Sequence, residues 1–514
     1  MRRRDDKMKH DTVFSRFLAL AAAFAMFGAA PSAAPSATPK PEPAVPDAVT
    51  HHTIRVGGKQ IAYTARAGTI ALHDDAGSLT ARIFYVAYTA DGANLSRRPV
   101  TFFYNGGPGS SSVWLHMGSF APVRVVTPNG TGTGPPPFQL VDNADTLLDK
   151  SDLVFVDAPN TGFSRVLDAG KPKDFMGVDQ DARAFRQFIE RYDTTFDRWN
   201  SPKFLFGESY GTTRDCVLAA QLQEAGTQLN GVVLLSSILN FGLGGGAIAG
   251  GDHSFVGYLP TMAATAWYHH KAPAGAGRDL NGFLAEVERF AAGEYTHALA
   301  QGADLDRAEF DRVVRTLHGY TGLPESYLRD SNLRVPYDRF LKELLRGSDQ
   351  IAGRYDGRFI TYDLDGTATD PSWDPSDVGI NGVFVGSFNR YVRQTLHYVT
   401  ESQYRPTAYG GQLGAPWDMH HDGQDPPANV APDLAATMAQ NPGLRVFSAN
   451  GRYDFATPYY ATVYTLSHLN LVPALQKHIT YGFYESGHMV YLNPTARARF
   501  KADLARWYDE ALSR

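Results

Sequence analysis

The sequence predicts an α/β fold: a mostly parallel central sheet flanked by helices, with a helical cap inserted between two of the strands. Three observations carry the expectation. Short apolar runs alternate with segments of helical spacing. One such run, Lys203-Phe-Leu-Phe206, passes through Gly207-Glu-Ser-Tyr-Gly211 directly into the helix-like run Thr213–Leu222. Finally, residues 241–377 break the alternation with loop-like glycine clusters and then helical patterns.

Along the chain, Met1-Arg-Arg-Arg and the apolar stretch Phe17–Ala30 read as a secretory signal over residues 1–30. A Pro/Ala/Ser-rich linker over 31–48 follows. The apolar run is too short to span a membrane comfortably, so signal removal without stable insertion is expected. That places the protein in the bacterial envelope or medium, periplasmic or extracellular.

The first part of the α/β core is expected over 49–240. His52–Val56 and Gln60–Thr64 flank Gly57-Gly58, a hairpin signal. A second pair, Ala81–Tyr88 and Val100–Tyr104, is separated by an Asp91-Gly92 turn. Asp152–Asp157, Lys203–Phe206 and Gly231–Ser237 are apolar strand runs, with helical spacing from Asp179 to Tyr192. The cap over 241–377 includes helical patterns at Leu280–Ala292 and Tyr337–Leu345. The second core part, 378–514, holds strands Leu444–Ala449 and His478–Tyr484 and a closing helix from Pro494 to Leu512.

Composition narrows the function classes. A formal charge of −5, or −7 once residues 1–48 are set aside, gives no footprint for nucleic acid. The single cysteine, Cys216, rules out an intramolecular disulfide and reads as a packing residue. The adjacent pairs His51-His52, His269-His270 and His420-His421 point apart on a strand or helix, so no metal is expected. Asp363-Leu-Asp-Gly366 lacks the later ligands of a calcium loop and reads as a turn. Gly242-Leu-Gly-Gly-Gly246 lacks the βαβ context for phosphate binding, and no cofactor is expected.

The chemistry concentrates elsewhere. Flanking glycines let a chain turn sharply enough to lift Ser209 above a strand end. A serine hydroxyl needs a positioned base. His488 follows the last strand and Asp454 the one before it, so Ser209, Asp454 and His488 stand in α/β-hydrolase order. His488 would take and return the Ser209 proton while Asp454 orients the imidazole. Acyl transfer also needs two N–H donors for the developing oxyanion. One would come from the loop Tyr104–Ser112, at Gly107, and the other from Tyr210.

Asn105-Gly-Gly-Pro-Gly-Ser-Ser-Ser112, Gly207-Glu-Ser-Tyr-Gly211, Asn450-Gly-Arg-Tyr-Asp-Phe455 and Gly487-His-Met-Val490 together resemble the serine carboxypeptidase family over about residues 50–514. The resemblance implies an α/β-hydrolase fold with an inserted lid and release of C-terminal residues from peptide substrates. It implies Ser209, Asp454 and His488 as triad and Gly107 and Tyr210 as oxyanion donors. It further implies that Asn105, Gly106 and Glu208 bind the substrate's terminal carboxylate, which Glu208 can do only when protonated. The chain departs from the family at Ser119, where a second glutamate is usual. Like charges sharing a site raise a carboxyl pKa, so the preference for acid is expected to weaken here. Ser110 replaces a family cysteine, and Asp157–Ser164 is a residue shorter than the usual loop. An esterase or acyltransferase on the same scaffold, and a catalytically idle binding protein, are the alternatives.

Overall fold

The computed structural model describes residues 45–243 and 251–513. The expected signal, most of the expected linker and Gly244–Gly246 of the glycine cluster lie outside the described residues. The strands run in chain order β1 (Ala48–Val56), β2 (Lys59–His73), β3 (Leu79–Ala90), β4 (Val100–Tyr104), β5 (Val123–Val125), β6 (Leu140–Asp142) and β7 (Asp152–Val156). Then come β8 (Arg165–Val166), β9 (Lys203–Glu208), β10 (Gly231–Leu235), β11 (Gln350–Ala352), β12 (Ile360–Tyr362), β13 (Arg445–Gly451) and β14 (Ile479–Tyr484).

The main sheet has the order β1-β2-β3-β7-β4-β9-β10-β13-β14, with β8 attached to β3. From β7 to β14 every neighbour is parallel, whereas β1, β2 and β3 run antiparallel into the β7 edge. The first hairpin forms across Gly57-Gly58 with longer strands than the turn signal alone marks. The second expected pair does not form. β3 and β4 are separated by β7, and Asp91 bonds back to Ala62 of β2 instead of closing a hairpin. Each of β4, β7, β9 and β10 is buried along its whole length, and helices covering both faces explain why they read as continuous apolar runs without alternation.

Alternate strand residues serve opposite faces. Phe103, Phe155, Phe206 and Phe447 pack with Phe500 and Trp507 of the helix Pro494–Leu512. Phe102, Tyr104, Val154 and Leu205 face the helices Val178–Thr195 and Tyr210–Glu224. Cys216 is fully buried in this second layer. Between β10 and β13 lie helices such as His253–Tyr268, Leu280–Phe290, Arg307–Thr321 and Tyr337–Glu343. They share an apolar cluster that also takes in Tyr453 and Phe455, the neighbours of Asp454. Among the described residues no helix is long and apolar enough to cross a membrane. Asp363 pairs with Lys342 and Asp365 caps its own turn, so the Asp363–Gly366 stretch is a turn tied to a helix.

Candidate active site

Ser209 stands between the end of β9 and the helix Tyr210–Glu224 with φ 60° and ψ −129°. A non-glycine residue held there costs on the order of 1–3 kcal/mol, which surrounding bonds must offset. Ser209 N–H donates to Leu235 O at 3.0 Å, and Thr212 N–H and Oγ1–H both donate to Ser209 O at 2.8 and 2.7 Å. Those bonds fix the backbone and leave the Ser209 side chain, half-buried, at the sheet's carboxyl edge.

The loop after β4 crosses this elbow at close range. A β-carbon on Gly106 would lie 2.7 Å from Gly211 N and 2.8 Å from Glu208 O, and closer still to Tyr210 N. Only glycine fits such an approach. Gly107 follows with φ 108°, again a glycine conformation. The N–H groups of Gly107 and Tyr210 have no acceptor among the described residues. Both are therefore available as donors beside the serine.

Buried groups hold the loop from behind. Arg214, fully buried, pairs with Asp181 at 2.6 Å and donates to Asn105 O at 2.9 Å, its guanidinium lying 4.2 Å from the Phe185 ring centroid. Asp157 accepts Ser112 N–H at 2.9 Å and Tyr404 O–H at 3.2 Å, and burial pushes its carboxyl up to about 6. Asp215 accepts Gly207 N–H at 2.9 Å and the Tyr104 hydroxyl, with burial raising it to about 8. Arg214 and Asp157 have no sequence signal, because their partners lie tens of positions away in the chain.

On the other side, Asp454 follows β13 and His488 follows β14. His488 Nδ1 lies 2.8 Å from Asp454 Oδ2, and both side chains are buried. Asp454 Oδ1 accepts the N–H groups of Ala456 and Thr457 at 2.8 and 3.0 Å. Thr457 Oγ1 sits 2.7 Å from Asp454 Oδ2 and 2.9 Å from Ser236 O. The carboxylate is thus held on three sides and presents one oxygen to the imidazole. Burial opposes protonation of His488, but the charge and hydrogen bond of Asp454, with Glu208 nearby, outweigh it and raise the pKa. His488 N–H donates to Tyr355 O at 2.6 Å, and Gly487 N–H to Asp356 Oδ2 at 3.1 Å. Asp356 in turn pairs with buried Arg358 at 2.6 Å. Thr457, Tyr355 and Asp356 are supports that the motifs do not reveal.

Asn105, Gly106 and Glu208 come together at the elbow. Asn105 Oδ1 accepts Leu115 N–H at 3.0 Å, which orients the amide and leaves Nδ2 to donate. Glu208 is buried, flanked by Tyr491 and Asn105; its Oε2 and the Tyr491 hydroxyl have no hydrogen-bond partner among the described residues. Burial, helped by the charge of Asp454, raises the Glu208 pKa to about 7 against the opposing pulls of His488, Tyr491 and Asn105. Desolvation thus gives Glu208 an upward push of its own where Ser119 offers no second carboxyl. Ser119 itself is buried and turned back onto Leu115 O at 2.5 Å.

His420 and His421 do point apart: exposed His420 contacts Asp418, and buried His421 turns to other acids. His421 Nδ1 contacts Asp179 at 2.6 Å and Nε2 contacts Asp433 at 2.8 Å, joining the first turns of two helices. Among the described residues no group of three or more side chains could hold a metal ion.

The comparisons with known proteins bear on this geometry. Residues 61–281 match the serine carboxypeptidase family model. Over 170 residues, 32% of this chain, the sequence is 29% identical to the pheromone-processing carboxypeptidase KEX1 of Cryptococcus gattii, and that stretch spans 24% of the relative's length. The solved structure of Kex1(delta)p, a prohormone-processing carboxypeptidase from Saccharomyces cerevisiae, superposes with a TM-score of 0.55 at 16% identity, covering 87% of this chain and 92% of that one. At that identity the likeness shows the fold, the mostly parallel sheet of the α/β-hydrolases.

Proposed function

We propose that this chain, whose residues 61–281 match the serine carboxypeptidase family model, removes C-terminal residues from peptides through an acyl-enzyme on Ser209. His488 Nε2 takes the Ser209 proton as Oγ attacks the scissile carbonyl, and returns it to the leaving amine. The Nδ1 contact with Asp454 sets the tautomer and stabilises the imidazolium. Gly107 and Tyr210 donate N–H bonds to the tetrahedral oxygen. Water then repeats the sequence to release the shortened peptide. The helices between β10 and β13 act as the cap, and export through the leader sets the place of action.

The observation that carries the reading is the buried Glu208 carboxyl, its Oε2 without a hydrogen-bond partner among the described residues, beside the Asn105 amide. A carboxyl that keeps its proton up to about pH 7 donates to a substrate carboxylate instead of repelling it. The esterase or acyltransferase reading is favoured by one fact, that Ser119 contributes no second carboxyl.

Purified protein should release free amino acids from N-blocked dipeptides, and Ser209→Ala should abolish it. Undiminished release by that variant would overturn the assignment. Blocking the peptide C-terminus as an amide should depress kcat/KM strongly; equal rates on both forms would favour the esterase.

A further inference from the structure

Arg354 sits where the segment before β12 meets the histidine loop. Its carbonyl accepts Phe455 N–H at 3.0 Å, one residue past Asp454. The next carbonyl, of Tyr355, accepts His488 N–H at 2.6 Å. The Tyr355 ring tilts against the His488 imidazole with centroids 5.2 Å apart, and Arg354 Cζ lies 5.3 Å from the same ring.

The guanidinium is half-buried and has no counter-ion. Nε donates to Tyr337 Oη at 3.3 Å, whereas the two Nη atoms have no acceptor and no carboxylate lies within 4.0 Å among the described residues. Two acids are neighbours, and neither closes the pair. Asp374 accepts the N–H groups of Arg354, Tyr355 and Ser376 and the Ser376 hydroxyl. Asp377 lies beyond 4.0 Å, its carboxyl raised by burial and by Asp374. Tyr258, Tyr337 and Tyr355 make up the remaining surroundings.

Four more deeply buried cations are each paired with an acid: Arg198 with Asp152, Lys203 with Asp193, Arg214 with Asp181, Arg358 with Asp356. A partly desolvated guanidinium is stabilised when an anion completes it, and its fork matches a carboxylate. Arg354 lacks such a partner and stands next to His488, with only the Tyr355 ring between them. Its charge opposes protonation of His488, so the two are within electrostatic reach.

Resting on the peptidase reading, we propose that Arg354 is a specificity-determining residue that pairs with an acidic side chain on one of the two substrate residues flanking the scissile bond. The terminal carboxylate stays with Asn105, Gly106 and Glu208; Arg354 reads a second one.

The test compares N-blocked dipeptides carrying Glu or Gln at either position. Binding to Ser209→Ala protein, measured by calorimetry, should favour the Glu ligand by about 10–100-fold at one position. The ratio should fall towards one when Arg354→Met is added, and kcat/KM on the active enzyme should follow the same ratios. Should Arg354→Met fail to fold, Arg354→Lys must keep most of the preference, and added salt must shrink it in the unmodified protein. Equal binding of Glu and Gln ligands overturns the proposal, as does a ratio untouched by losing the guanidinium or by salt. Binding is read without turnover, so failure of the wild type to release any C-terminal residue counts against the peptidase reading alone.

Discussion

Two histidines in this protein each meet aspartate, and their settings diverge. His488 has one acid partner, Asp454 at 2.8 Å, and its Nε2 makes no bond to the rest of the described chain. His421 is held at both nitrogens, by Asp179 and Asp433. Hydrogen bonds donated to these two acids raise the His421 pKa to about 10, so it is a cation at neutral pH. At His488 burial opposes the charge and hydrogen bond of its single acid partner, Asp454, although the pKa is still raised. A base needs one nitrogen anchored and the other open to exchange a proton. A second acid removes that ability and turns the same residue into a tie between helices. The local chemistry is nearly identical; the number of partners decides the role.

The largest expected effect breaks the pair at the base. His488→Ala should lower kcat about 10⁴-fold or more, and Asp454→Asn about 10²–10⁴-fold, with KM little moved. Steady-state kinetics on one N-blocked dipeptide checks both, and a loss under tenfold for His488→Ala would contradict its role.

An intermediate effect concerns the acid beside it. Peptide release should fall about tenfold per pH unit above 7 as Glu208 ionises. Glu208→Gln donates at any pH, so that fall should vanish, while the profile below pH 7, where Glu208 already carries its proton, should match the parent's. For stability the sign is opposite to that of a paired acid. The folded state keeps a proton that an ordinary glutamate loses at 4.5, so this group's contribution declines as pH rises from 4.5 through 7. Glu208→Gln should accordingly gain about 1–3 kcal/mol at pH 8, read from urea unfolding.

The smallest change in rate should come from His421→Ala, within about twofold, although stability should drop by about 1–3 kcal/mol at pH 6. The tie is fully present below the ordinary histidine value of 6.5 and is lost as pH climbs through about 10. The stability gap between variant and parent should therefore narrow at pH 9. A constant gap across that range would show that packing, not charge, is what His421 contributes.

Legibility in the sequence followed the distance over which each constraint acts. The glycines around Ser209 encode a tight local turn, and the strands around it are continuous apolar runs because both faces are covered. Asp454 and His488 were readable because each follows a strand by a few residues, and parallel neighbours β13 and β14 bring those ends together. The insertion of β7 between β3 and β4 was not readable, since turn signals specify connections and not sheet order. Arg214, Asp157, Tyr355 and Arg354 were missed for the same reason: their partners are brought by the fold from far along the chain. The burial that raises Glu208 was likewise not readable, because desolvation depends on packing, which no motif reports.

The bonds from Gly487 to Asp356 and from His488 to Tyr355 have a consequence for redesign. The backbone carrying Arg354 is also the backbone that seats His488. A chimaera that swaps residues 350–362 to alter substrate preference would disturb the imidazole by the same stroke. Selectivity in this scaffold is best re-engineered one side chain at a time, leaving the Tyr355 carbonyl and the Asp356 carboxylate in register.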